Sequence, residues 1–82
     1  MIYLVEDDNS IRELVIYTLQ STGFEARGFA CGADFWEGMK EDMPELVLLD
    51  IMLPDEDGLS ILRKLRGAAA TQKLPVMMLT AK

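Results

Sequence analysis

Apolar residues fall into two kinds of pattern along the chain. Ile2-Tyr3-Leu4-Val5, Leu46-Val47-Leu48-Leu49 and Pro75-Val76-Met77-Met78-Leu79 are short runs without polar alternation. Such runs predict strands buried on both faces, as in the middle of a parallel sheet. Residues 24–30 alternate apolar with charged side chains and include Gly28, which predicts a half-exposed edge strand. Between these runs the spacing is helical. Ile11, Leu14, Val15, Thr18 and Leu19 make one face of a first helix, with Ser10-Ile11-Arg12-Glu13 as a capping box, Asn9 as the competing cap and Gly23 at the far end. Ala33, Trp36 and Met39 or Lys40 predict a short second helix from Gly32 to about Glu41, ended ahead of Pro44. Leu59, Leu62 and Leu65 stripe a third helix over residues 58–66, with Arg63, Lys64 and Arg66 as its solvated last turn. Residues 67–73 read as a connector with some helical character. The order β-α-β-α-β-α-β, with crossovers long enough for parallel pairing, predicts an α/β parallel sheet with right-handed connections.

Composition narrows what such a domain can do. At 82 residues, half of them hydrophobic, the chain holds one domain at most and enough apolar side chains for a core. Fourteen acidic against 8 basic residues leave a net charge of −6, which offers no footprint for nucleic acid. Cys31 is the only cysteine, so an internal disulfide is impossible and a reducing, cytoplasmic setting is expected. No apolar run approaches the roughly 20 residues of a membrane span. Trp36 and the Met77-Met78 pair are assigned to packing against the sheet.

The candidate chemistry lies where two of the apolar runs end. The run from Leu46 stops at Asp50, and the first strand breaks into Glu6-Asp7-Asp8. In open α/β sheets ligands bind at the carboxyl ends of the strands. If the two strands are parallel neighbours, Asp50 meets one or two of Glu6, Asp7 and Asp8 there. Carboxylates about 5 Å apart repel by roughly 3 kcal/mol at an effective dielectric near 20. A proton or a cation relieves that repulsion, and an all-oxygen carboxylate site suits Mg²⁺ or Mn²⁺.

Taken together, Glu6-Asp7 after the first strand, Asp50 after the third, the turn Leu53-Pro54-Asp55-Glu56-Asp57-Gly58, and Leu79-Thr80-Ala81 at the end of the fourth closely resemble the receiver domain of two-component response regulators. Leu49-Asp50-Ile51-Met52-Leu53-Pro54 is most similar to regulators of the OmpR/PhoB-like kind, which carry a winged-helix DNA-binding domain. The resemblance implies a flavodoxin-like, doubly wound parallel sheet with strand order 2-1-3-4. It further implies that Asp50 accepts a phosphoryl group from a histidine of a sensor histidine kinase. Asp7 would be a direct Mg²⁺ ligand, Glu6 its neighbour acting through water, and Met52 a ligand through its backbone carbonyl. Thr80 would hydrogen-bond the phosphoryl oxygens, Ala81 would leave them room, and Asp8 would begin the turn into the first helix. A phosphoacceptor of this kind is not a turnover enzyme.

Receivers continue through a fourth helix, a fifth strand carrying a lysine that pairs with the phosphoryl group, and a fifth helix. Residues 1–82 are therefore expected to be a partial receiver domain lacking those elements, and Lys82 does not inherit that lysine's role. The outer edge of the fourth strand would then stay open, so a homodimer or exchange of elements along it is expected. The alternative function is a receiver-shaped interaction module that is not phosphorylated. A phosphatase of the haloacid-dehalogenase type is disfavoured because Met52 stands where that family places its second aspartate. A dinucleotide-binding enzyme is disfavoured because no glycine-rich loop follows the first strand.

Overall fold

A computed structural model describes residues 1–79. Four strands, β1 (Ile2–Val5), β2 (Ala26–Phe29), β3 (Leu46–Asp50) and β4 (Val76–Leu79), alternate with three helices, α1 (Asn9–Ser21), α2 (Gly32–Glu41) and α3 (Gly58–Gly67). The strands are all parallel and lie in the order β2-β1-β3-β4, as the resemblance implied. Val5 pairs with both Phe29 and Leu49, which puts the carboxyl ends of β1 and β3 side by side.

Successive side chains of a strand face opposite ways, and the two faces of this sheet are covered unequally. Tyr3, Val5, Val47 and Leu49 join Phe35 of α2 and Ile61 and Leu65 of α3 in one buried cluster. Tyr3, Phe29 and Phe35 meet edge to face there, with centroids 4.9 to 6.3 Å apart. The Tyr3 hydroxyl donates to the carbonyls of Gly38 and Asp42 at 3.0 and 2.7 Å, tying the end of α2 to β1. Leu4 and Gly28 face the other way, where Arg12 and Ile16 of α1 cross directly over Gly28. No residue of α1 is fully buried.

Several expectations shift by a residue or a face. α1 is capped by Asp8, not by Ser10 or Asn9, because the Asp8 carboxylate accepts from Ile11 N–H at 3.0 Å and its carbonyl from Arg12 N–H at 2.9 Å. Leu14 and Thr18 face outward; Ile11, Val15, Ile16 and Leu19 are the half-buried side. Gly23, at φ +97°, ends the helix segment as expected. The buried stripe of α2 is Gly32, Phe35 and Gly38, and that of α3 is Gly58, Ile61 and Leu65, while Leu59 is exposed. β4 was expected to be buried on both faces, yet Met77 is 57% exposed. It stands beside Leu48 on the α1 face, and α1 packs over β1 and β2 instead. Residues 68–73 form turns rather than helix, organised by Arg66 Nη1, which donates to the carbonyls of Thr71, Gln72 and Leu74, and by the buried Thr71 hydroxyl, which donates to Leu65 O at 2.6 Å.

Candidate metal centre

The end of β1 is shaped by hydrogen bonds on both sides of Glu6. Its N–H donates to Phe29 O at 3.0 Å, continuing the pairing with β2, and its carbonyl accepts from Arg12 Nη1 at 2.8 Å. Arg12 reaches that carbonyl by lying across Gly28, where a Cβ would come within 3.0 Å of its Cγ. The chain then turns: Asp8 N–H donates back to Glu6 Oε2 at 3.2 Å, and Asp8 caps α1. Glu6 is left 2% exposed, with Asp7 open to solvent beside it.

On the neighbouring strand Asp50 is the last residue of β3 and only 3% exposed. The loop that follows folds back tightly. Gly58 N–H donates to Ile51 O at 2.8 Å, and a Cβ on Gly58 would lie 2.1 Å from the carbonyl oxygen of Asp50. Only glycine permits that approach. Met52 N–H lies 3.4 Å from Asp50 Oδ1, and its side chain points to solvent. Asp57 caps α3 through Leu59 N–H at 2.8 Å.

Glu6, Asp7 and Asp50 each contribute one carboxylate oxygen to a group whose members all lie within 4.8 Å of one another. Charges at that spacing repel by about 3 kcal/mol per pair at an effective dielectric near 20. Two of the three are buried, which weakens solvent screening and makes a compensating cation more favourable. The donors are hard oxygens and one is open to solvent, so the set fits a small divalent cation that retains waters, such as Mg²⁺ or Mn²⁺. The structure therefore brings Glu6, Asp7 and Asp50 together and sets Met52 on the adjoining loop. Thr80, Ala81 and Lys82 lie outside the described residues.

An acidic trio at the ends of adjacent parallel strands is joined by a match in sequence: residues 2–82 match the family described as "Response regulator receiver domain". The chain belongs to the response regulator receiver family. Among relatives of this receiver, the transcriptional regulatory protein GltR of Pseudomonas aeruginosa is 45% identical over 80 residues, covering 98% of the chain and 33% of GltR. The phosphate regulon transcriptional regulatory protein PhoB of Rhizobium meliloti is 37% identical over 81 residues, covering 99% of the chain and 36% of PhoB. The receiver thus spans about a third of the length of these regulators. A solved structure of response regulator Rcp1, in its Mn²⁺-bound form, matches with a TM-score of 0.88 and 27% identity over 99% of the chain and 65% of that structure.

Three contributors were not read from sequence. The spacing gives Arg12 a place only in the capping pattern, yet it braces the Glu6 carbonyl. The turn motif contains Asp55 and Glu56 without giving either a role, yet Asp55 is fastened to α2 and Glu56 to both α2 and α3. Asp55 accepts from the N–H groups of Gly32 and Ala33 at 2.8 Å each, which hold its carboxyl below the ordinary range. Glu56 pairs with Lys64 and accepts from Trp36 Nε1 at 2.9 Å and Ser60 Oγ at 3.1 Å; Lys64 first, then Trp36, keeps it ionised to lower pH than an ordinary glutamate. The one signal in the sequence was the density of carboxylates in residues 55–57.

Proposed function

We propose that this chain is the phosphoacceptor part of a two-component response regulator, taking a phosphoryl group on Asp50 in the presence of Mg²⁺. The observation that carries the reading is the buried Asp50 at the end of β3, with Glu6 and Asp7 oxygens within 4.8 Å. An Asp50 carboxylate oxygen attacks phosphorus while the bond from phosphorus to the donor's imidazole nitrogen breaks, leaving an acyl phosphate and a free imidazole. When bound, Mg²⁺ supplies charge neutralisation for the phosphoryl oxygens and a fixed orientation for them. Glu6, Asp7 and Asp50 would hold it, with the Met52 carbonyl as the further ligand implied by the family resemblance. Thr80 is assigned the hydroxyl that meets the phosphoryl oxygens.

The chain has no histidine, so the phosphohistidine donor must be another protein, a sensor histidine kinase. Acceptance at one aspartate makes the domain a switch and not a turnover enzyme. The named relatives GltR and PhoB are transcriptional regulators, which supports a DNA-binding output and a cytoplasmic setting. No helix among the described residues is long and apolar enough to cross a membrane. Among the described residues β4 is an outer strand of the sheet, and we assign pairing between two copies of the chain, or exchange of elements, to its outer side; sedimentation as a monomer at high concentration would remove this assignment.

The test is the intact mass of the chain after incubation with a small acyl phosphodonor and Mg²⁺. One added phosphoryl group, absent in Asp50→Ala, is expected. An adduct that persists in Asp50→Ala would overturn the assignment of Asp50. Mg²⁺ binding with no adduct on the wild-type chain would leave a receiver-shaped interaction module.

A further inference from the structure

Apart from its ends, the loop between Asp50 and Gly58 makes its described hydrogen bonds to the helices through two carboxylates. α2 begins without a cap of its own: Cys31 stands at the N-cap and makes no side-chain hydrogen bond. Asp55 fills that role from a different part of the chain, one oxygen on Gly32 N–H and the other on Ala33 N–H. Glu56 repeats the attachment one turn along, at Trp36 Nε1. α2 in turn is tied at its far end to β1 by the Tyr3 hydroxyl.

A closed path follows. β1 leads into Glu6 and Asp7; Tyr3 of β1 holds α2; the start of α2 holds Asp55; and Asp55 holds the loop that leaves Asp50. The two halves of the acidic site are thus joined twice, once through the pairing of β1 with β3 and once through α2. We infer that Asp55 is a positioning residue of the metal centre, anchoring the Asp50 loop on the first turn of α2. The inference rests on the proposed function, because it assumes that the acidic site takes Mg²⁺. Without that anchor the loop backbone next to Asp50 loses its second tie to the strand ends that carry Glu6 and Asp7. Asp55 acts through the loop backbone, its hydrogen bonds going to Gly32 and Ala33 and not to a ligand. Groups bonded directly to metal ligands change affinity by about 10- to 100-fold when lost, so about 10-fold is the upper scale for a group acting at this remove.

The test compares Asp55→Asn with Asp57→Asn in the 82-residue chain, reading Mg²⁺ affinity by calorimetry at a temperature where circular dichroism shows each variant folded. Both remove one negative charge from the same loop. Asparagine remains a good cap at position 57, but at 55 it presents an amide to one of two N–H donors. Asp55→Asn is expected to weaken Mg²⁺ binding about 10-fold, and Asp57→Asn by far less. Equal losses in the two variants would reduce the effect to charge and overturn the inference. A merely structural cap would lower the melting temperature of Asp55→Asn and leave its Mg²⁺ affinity unmoved.

A second reading needs no variant. Coupling is reciprocal, so Mg²⁺ must tighten the clamp by the factor by which the clamp tightens Mg²⁺. Hydrogen exchange at the Gly32 and Ala33 amides is expected to slow about 10-fold on saturation with Mg²⁺. Unchanged exchange there, with Mg²⁺ bound, would overturn the inference and leave the metal site standing. Failure of the wild-type chain to bind Mg²⁺ at all would instead overturn the reading of the site on which it rests.

Discussion

Replacing Gly58 by alanine probes the geometry that presents Asp50. The added Cβ would meet the Asp50 carbonyl oxygen at 2.1 Å, the Asp50 carbonyl carbon at 3.0 Å and Ile51 Cα at 2.9 Å. All three obstacles are backbone, and two belong to the final residue of the central strand, so no side-chain rotation can relieve the clash. Separating the atoms to ordinary contact requires about 1 Å of movement between the start of α3 and the end of β3. Overpacking of a rigid site costs about 1–3 kcal/mol, and a clash confined to backbone belongs at or above the top of that range. A domain of this size has a total stability of roughly 4–12 kcal/mol and loses about 4–8 °C in melting temperature per kcal/mol. Gly58→Ala should therefore melt at least about 12 °C below the wild type, and, because Asp50 itself is displaced, bind Mg²⁺ more weakly. Gly67→Ala is the matched control: a Cβ there meets nothing within 4 Å, so it should be neutral or stabilising by up to about 1 kcal/mol. Urea denaturation of both variants reads the difference directly. A Gly58→Ala chain within about 1 kcal/mol of the wild type, set against the overpacking scale, would refute the fold-back of the loop onto Asp50.

Further outcomes follow from the same geometry. Asp50→Asn removes one charge from the acidic trio and should stabilise the chain in chelator by about 1–3 kcal/mol while abolishing any rise in melting temperature with Mg²⁺; no stabilisation in chelator would contradict the repulsion. Tyr3→Phe removes the donor shared by the Gly38 and Asp42 carbonyls, at a cost of about 1–2 kcal/mol seen in the urea midpoint. The carboxyl groups of Asp55 and Glu56 are both held below their ordinary values of 3.8 and 4.5. Their contribution is therefore complete above those values and is lost as pH falls through the lower, folded-state ones, so acid melts should steepen below about pH 4, less so in Asp55→Asn.

The strands and the site were legible in sequence for different reasons. Uninterrupted runs such as Leu46 to Leu49 have one reading in a chain of this length, and a run that stops at a carboxylate marks the end of its strand. Pairing of β1 with β3 then brings Asp50 to Glu6 and Asp7 with no further information. Helix faces were harder. On α3 the triplet of leucines at 59, 62 and 65 found Leu65 but concealed Ile61, which reaches the core beside it while Leu59 is exposed, because isoleucine and leucine carry equal weight in a spacing argument. On α2, Trp36 drew the stripe towards itself, whereas Phe35 and Gly38 face the sheet; Gly38 lies so close to Phe29 that a Cβ there would come within 2.5 Å of the ring. A glycine chosen for contact is silent in a hydrophobic pattern. The Asp55 clamp was invisible for another reason: its partners are backbone N–H groups 22 and 23 residues away, and any residue type at 32 and 33 other than proline could supply them.

The uneven covering of the sheet explains why the site leans on α2. Tyr3, Val5, Val47 and Leu49 share their face with Phe35, Ile61 and Leu65 in a continuous buried cluster. On the opposite face α1 buries no residue fully, Leu14 is 65% exposed and Met77 is open. Local stability follows buried apolar contact, so among the described residues α1 and the turn that carries Asp7 are held by less of it than α2, β1 and β3. An acidic trio that repels itself puts the greatest strain on its most weakly held member. Arg12 meets this on the α1 side by fixing the Glu6 carbonyl, and Asp55 meets it on the α2 side by fixing the loop after Asp50. Asp7, exposed and on the α1 side, is then the member of the trio with the most room to adjust to a cation.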